Sequence, residues 1–239
     1  MSDGWSSADA LPTGRSRVAE FMAGVYRWMA FGLGLTGLVA YAITTSPTLL
    51  SAFYVVQNGH VVGHTGLYTV MLIAQVVMVI AFVSFLERVS IGAAVAMFLG
   101  YCAMTGLTLS VVLIVYTTGS IASTFFVTGG AFFGLSLYAT VTKRDLSGMR
   151  SFLMIGLIGI CIAMLVNFFL HSAAIDFVMS CAGVLVFAGL TAYDTQKLRT
   201  LALQRGGDKY ALMGALTLYL DFINLFLFLL RFMGSRRRD

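Results

Sequence analysis

The chain is short of charge. Only 10% of its 239 residues are Asp, Glu, Lys or Arg, where a soluble globular domain carries about 25%. With 59% hydrophobic residues, there is too little polar material to cover a water-facing surface, which excludes the soluble classes. Proline is scarce too, at two residues, and no tract is of low complexity, which argues against disorder. The three cysteines, Cys102, Cys161 and Cys181, each lie inside an apolar run. They form neither a disulfide framework nor a CxxC metal site. Nor does the chain open on an apolar signal core: residues 1–20 are polar, with Arg15, Arg17 and Glu20 just ahead of the first hydrophobic run. That run is therefore expected to remain in the mature protein.

What is present is long apolar runs. A bilayer core of about 30 Å needs about 20 apolar residues per helix. Runs of that size fall at 22–45, 66–86, 91–116, 120–142, 151–170, 173–195 and 210–230. The expected fold is an all-α polytopic membrane protein of seven transmembrane helices. A polar tail (1–20), one membrane domain (21–233) and a basic tail (234–239) divide the chain. No internal repeat supports an inverted-repeat transporter plan.

Lys and Arg cluster at the N-terminus, at 88, at 143, 144 and 150, at 197–209, and at the C-terminal end. The segments 46–65, 117–119 and 171–172 have none. The positive-inside rule then puts the N-terminus in the cytoplasm. Seven full spans would leave Arg236, Arg237 and Arg238 outside, against the same rule. Either the last segment does not fully cross, or the earlier loops overrule the tail.

Several motifs have plain explanations. Gly32, Gly34 and Gly37 spell GxGxxG, but within an apolar helix rather than after a strand; close helix packing through small residues accounts for them, and for Gly130 and Gly134. His60, His64 and His171 all fall on the expected outer side, as solvated loop residues or as a pH-responsive or metal-holding outer cluster. No serine or cysteine has a plausible buried His partner, so no enzyme is expected. The excess of positive charge reads as cytoplasmic-side bias, with no nucleic-acid partner.

The carboxylates are more telling. Asp221 sits near the middle of the 210–230 run. An ionised Asp at a helix centre costs about 2.5–3.5 kcal/mol on insertion scales, so it is expected to face the bundle interior and mark a pathway. Thr217, Asp221 and Asn224 form one polar stripe at i, i+4 and i+7. Gly206 and Gly207 offer a hairpin turn between the last two helices. Counting outward at 1.5 Å per residue, Asp194 and Asp221 differ in height by only about 3 Å. Two adjacent buried carboxylates do not comfortably both ionise, and the pair would titrate as a unit. Asp194 also has a simpler reading, as a partner of Lys197. Arg88, in the link between the second and third helices, is either an inward-reaching latch on a carboxylate or a positive-inside anchor.

The stretch LYLDFINLFLFLLRF (218–232), AYDTQKL around Asp194 and KRDLSGMRSFL after the fourth helix resemble the Bax inhibitor-one family, the transmembrane Bax inhibitor motif family. The likeness covers residues 20–233 and is nearest to its bacterial inner-membrane branch. The resemblance implies seven helices with the last surrounded by the other six, and a pH-sensitive calcium leak controlled by Asp194 and Asp221. It also implies an arginine latch, for which Arg88 is the candidate. Calcium would then be the transported ion, held weakly and transiently by the two aspartates with Asn224 and Thr217 as accessory ligands. No other cofactor is expected. The rival reading is a regulator of a membrane AAA protease, with the N-terminal arginines as its handle and no transport of its own.

Overall fold

The computed structural model describes residues 14–57 and 60–237. It contains α1 (Gly14–Thr45), α2 (Pro47–Phe53), β1 (Tyr54–Gln57), β2 (His60–His64), α3 (Gly66–Phe85), α4 (Ile91–Val115), α5 (Thr118–Val141), α6 (Arg150–Leu170), α7 (Ala173–Arg205) and α8 (Asp208–Met233). A 3₁₀ turn, Ser147–Met149, leads into α6. All seven expected spans are present, as the helices long and apolar enough to cross a membrane. The expected polar tail is helical from Gly14 onward; its first thirteen residues, and Arg238 at the other end, lie outside the described residues.

The helices begin where side chains can take up their first amide groups. Ser46, Ser90, Thr117 and Ser172 each accept a backbone N–H from the first turn of the helix that follows. His171 ends α6 in the left-handed conformation, at φ 50°. Its neighbour Asn167 accepts the Ser172 N–H at 2.9 Å, which tightens the α6–α7 turn.

Burial separates the helices into an inner and an outer set. Within the most apolar 18-residue stretch of each, 67% of α8 is buried, against 11% for α3 and for the α6 segment. The principal neighbours of α8 are α7, α1, α5 and α4, while α3 packs on α4 and α6 packs on α7. The last helix is thus central, but four helices rather than six form its immediate wall. The outer helices turn residues such as Val76, Val77, Phe152 and Ile155 outward, as lipid-facing surfaces require.

Two expectations are corrected, and one alternative left open is decided. Residues 46–65 read as a plain loop, yet they fold into α2 and a β1–β2 hairpin. Tyr54 fastens this hairpin to the bundle, its hydroxyl 2.9 Å from that of Ser110 on α4. The last helix crosses the bundle completely. Beyond it, Thr117 N–H donates to the Ser235 carbonyl at 3.1 Å and Arg237 N–H to that of Val115 at 2.9 Å. The tail therefore meets the α4–α5 link, at the end opposite the α7–α8 turn. Finally, Gly32 does pack closely, where a β-carbon would come 2.8 Å from Cys102 Sγ, but nothing lies within 4 Å of one at Gly34, Gly37, Gly130 or Gly134. Close approach of α1 and α4 instead uses Gly106, where a β-carbon would lie 2.5 Å from the Thr36 carbonyl oxygen.

Between α1, α4 and α8 the core carries hydroxyl groups. Thr36 Oγ1 donates to the Cys102 carbonyl at 2.9 Å and lies 2.6 Å from the Tyr219 hydroxyl. Gln75 Nε2 of α3 donates to Thr105 Oγ1 at 2.9 Å. Each pair satisfies polar groups that lipid could not.

Candidate aspartate pair at the hairpin of the last two helices

The site starts from the turn. Gly207 has φ 155°, a backbone conformation that disfavours any residue with a β-carbon. It lets α8 fold back directly against α7, and the two helices make the second most extensive contact in the bundle. The hairpin brings the aspartates level, as the residue count predicts. Asp194 and Asp221 are both buried, at 9% and 5% exposure, and their side chains lie within hydrogen-bonding range of one another. Asp221 Oδ2 is sealed from the surface and has no hydrogen-bond partner. A buried carboxyl oxygen left open in this way is costly unless a proton or a cation completes it.

The two carboxyl groups differ in access. A cavity of about 490 Å³ reaches Asp194, with Thr217, Lys197, Gln196, Asp145 and Val83 on its walls. It lies at the end of the bundle that carries the α7–α8 turn. Asp194 is on its wall and Asp221 is not. Lys197, exposed one turn along α7, is near enough for its charge to act on both carboxyls.

The other residues singled out in the sequence divide. Thr217 shares the cavity, though its hydroxyl donates to the Met213 carbonyl at 3.0 Å. Asn224 is half-buried and donates to the Leu220 carbonyl at 2.8 Å, outside the cavity lining. Arg88 is exposed, its guanidinium 6.0 Å from the centre of the Phe85 ring. The histidines lie apart from this site: His64 stacks on Tyr68, with ring centres 5.3 Å apart, at the hairpin end. Among the described residues no three His, Cys, Asp or Glu side chains gather as a metal site, so the two aspartates would hold a cation only with help from other oxygens.

Sequence reasoning missed the fastening around the turn. Glu87, in the α3–α4 link, pairs with Arg205 at 3.0 Å and accepts from the Tyr210 hydroxyl at 2.8 Å. Lys209 Nζ donates to the carbonyl of Val89. These contacts tie the link to both sides of Gly206–Gly207. The available signal was one acidic residue in a short link and a cluster of basic ones in another. Gln196 does similar work on α5–α6, accepting from the Leu146 N–H at 2.8 Å and donating to the Arg144 carbonyl at 2.9 Å. Its place three residues before Arg199 fits it to face the same link.

Comparison with known proteins agrees with this architecture. Residues 18–238 match the family described as inhibitor of apoptosis-promoting Bax1. The chain is 44% identical to the inner membrane protein YbhL of Escherichia coli over 241 residues, 98% of this chain and 100% of that protein. An uncharacterized protein of Caulobacter vibrioides is 42% identical over 223 residues, 91% and 89% of the two chains. An uncharacterized membrane protein of Streptococcus pyogenes is 34% identical over 218 residues, 90% and 92%.

Proposed function

The chain belongs to the family of inhibitors of apoptosis-promoting Bax1, and on that premise we propose that it is a pH-sensitive calcium leak channel gated by Asp194 and Asp221. The observation that carries the reading is the pair itself: two buried carboxyl groups on adjacent helices, one beside a cavity and the other sealed with an unpartnered oxygen.

At low pH the pair shares a proton, and α7 and α8 pack together. Loss of that proton leaves two like charges at close range, which repel each other and attract a cation. Calcium suits the site chemically, since it is a hard ion that takes oxygen ligands. It normally takes six to eight of them, and two aspartates supply too few for tight binding. Thr217, Asn224 and backbone carbonyls would complete the shell only transiently, as conduction requires.

The membrane is the bacterial inner membrane in this reading, supported by the similarity to YbhL. The end bearing Arg15, Arg88, Lys143, Arg199 and Lys209 faces the cytoplasm, supported by the positive-inside rule. The cavity then brings cytoplasmic water to Asp194.

The test is calcium flux into proteoliposomes across about pH 6 to pH 8, because a coupled carboxyl pair titrates as a unit. Flux rises with pH in the parent protein and loses that dependence in Asp221→Asn. Flux equal to that of empty liposomes at every pH would overturn the channel reading.

A further inference from the structure

A groove runs along one face of α1, against α7 at the α7–α8 turn end and against α5 toward the middle of the membrane, away from the aspartate pair. Its first part, about 890 Å³, lies at the α7–α8 turn end, with Arg15 and Arg199 on its walls. Its second part, about 530 Å³, continues toward the middle of the membrane between Met29 and Leu33 on one side and Phe133 and Leu137 on the other. The two parts share Tyr26 and Thr140, so they form one groove that is basic at one end and apolar along the rest. Among the described residues, no acidic side chain lines either part. Phe133 and Leu137 are 70% and 50% exposed, so the apolar part is open to the bilayer.

We propose that this groove is a binding site for an anionic phospholipid, with the headgroup at Arg15 and Arg199 and one acyl chain laid between α1 and α5. The dimensions fit. From Arg15 to Met29 the helix advances about 21 Å at 1.5 Å per residue, close to half of the 40–45 Å bilayer with its headgroups. The chemistry fits as well. Guanidinium groups pair with phosphate oxygens through parallel N–H donors, and basic pockets between membrane helices on the cytoplasmic side select anionic headgroups. Arg199 is already held in place: its Nη1 donates to the Thr140 carbonyl at 2.6 Å and to that of Ala139 at 3.4 Å. That fixes the guanidinium at the mouth of the groove. A zwitterionic lipid would fill the apolar part equally well but would gain less from the two cations. The inference does not depend on calcium conduction.

The test uses the full chain with both native tryptophans replaced (Trp5→Phe, Trp28→Phe) and carrying Phe133→Trp, reconstituted in phosphatidylcholine vesicles that contain a minor fraction of brominated lipid. Bromine quenches tryptophan only on contact, so the readout is local to the groove. Brominated phosphatidylglycerol is expected to quench in preference to brominated phosphatidylcholine, by about fivefold in relative affinity for each arginine engaged. Arg15→Gln, at an exposed position on the first turn of α1, lowers the preference by that factor, and adding Arg199→Gln removes it. If Arg199→Gln fails to fold, Arg15→Gln alone carries the comparison. Ile158→Trp serves as the control, on lipid-facing α6 at similar depth, about 12 Å from the basic end of its helix; it shows no preference. Equal quenching by the two lipids at Phe133→Trp, or a preference that survives loss of Arg15, would overturn the proposal.

Discussion

Gly183 of α7 faces the ring of Phe228 of α8 so closely that a β-carbon there would lie 2.4 Å from the ring. The two helices can come together along their outer half only because that position is bare. Gly183→Ala is expected to destabilise the protein by about 1–3 kcal/mol through overpacking. Gly130→Ala, where nothing lies within 4 Å, is expected to be neutral or to stabilise by up to about 1 kcal/mol through helix propensity. Thermal unfolding midpoints in detergent check the contrast. A Gly183→Ala protein that melts with the parent would contradict it, and Phe228→Leu is expected to restore part of the loss.

The contacts of Glu87 affect access more than stability. Its ion pair with Arg205 is exposed, the two side chains being 68% and 63% accessible, and such pairs are worth about 0–1 kcal/mol. They nevertheless hold the α3–α4 link against the α7–α8 turn, at the end where the cavity opens. Glu87→Ala should leave the melting point within a few degrees of the parent. It should also raise, several-fold, the rate at which a membrane-impermeant thiol reagent reaches Thr217→Cys, measured against the three native cysteines. An unchanged rate would show that this fastening does not guard the cavity.

Asp145 provides a pH dependence outside the membrane. Ser147 donates to it twice, from its backbone N–H at 2.9 Å and its hydroxyl at 2.8 Å. These bonds hold the carboxyl below the usual carboxylate range. A group lowered in this way stabilises the fold above its unfolded value, about 3.9, and loses that contribution as pH falls through its folded value. The parent should therefore melt above Asp145→Ala at neutral pH, with the gap closing only below about pH 4. A gap that persists in strong acid would assign the difference to something other than the ionised carboxylate.

The spans and the aspartate pair were legible because each follows from local arithmetic. Run length gives a helix, and distance from a glycine turn gives height along a hairpin. The hairpin at 46–65 was not legible because its anchors are tertiary, among them the Tyr54–Ser110 bond between residues 56 apart. The full crossing of α8 was open because its charges pull against its length; the link at Tyr116 that receives the tail is more than a hundred residues away. The groove was invisible for a different reason. Arg15, Arg199 and Phe133 belong to three separate runs, and only packing shows which helices leave a gap. Glycine was over-read: Gly34 and Gly37 share a motif with Gly32, yet they point where no helix comes.

That α8 is the most enclosed helix has a consequence for how the protein is made. The segment around which α1, α4, α5 and α7 close leaves the ribosome after all of them. Until it arrives, the earlier helices sit in the bilayer with Thr36 and Asp194 lacking their partners on α8, Tyr219 and Asp221. Assembly must therefore wait until α8 has been made, with the nascent bundle either kept ajar or shielded by the insertion machinery. A message cut short before residue 208 would leave six helices around a polar seam, which is the kind of product a membrane quality-control system can recognise.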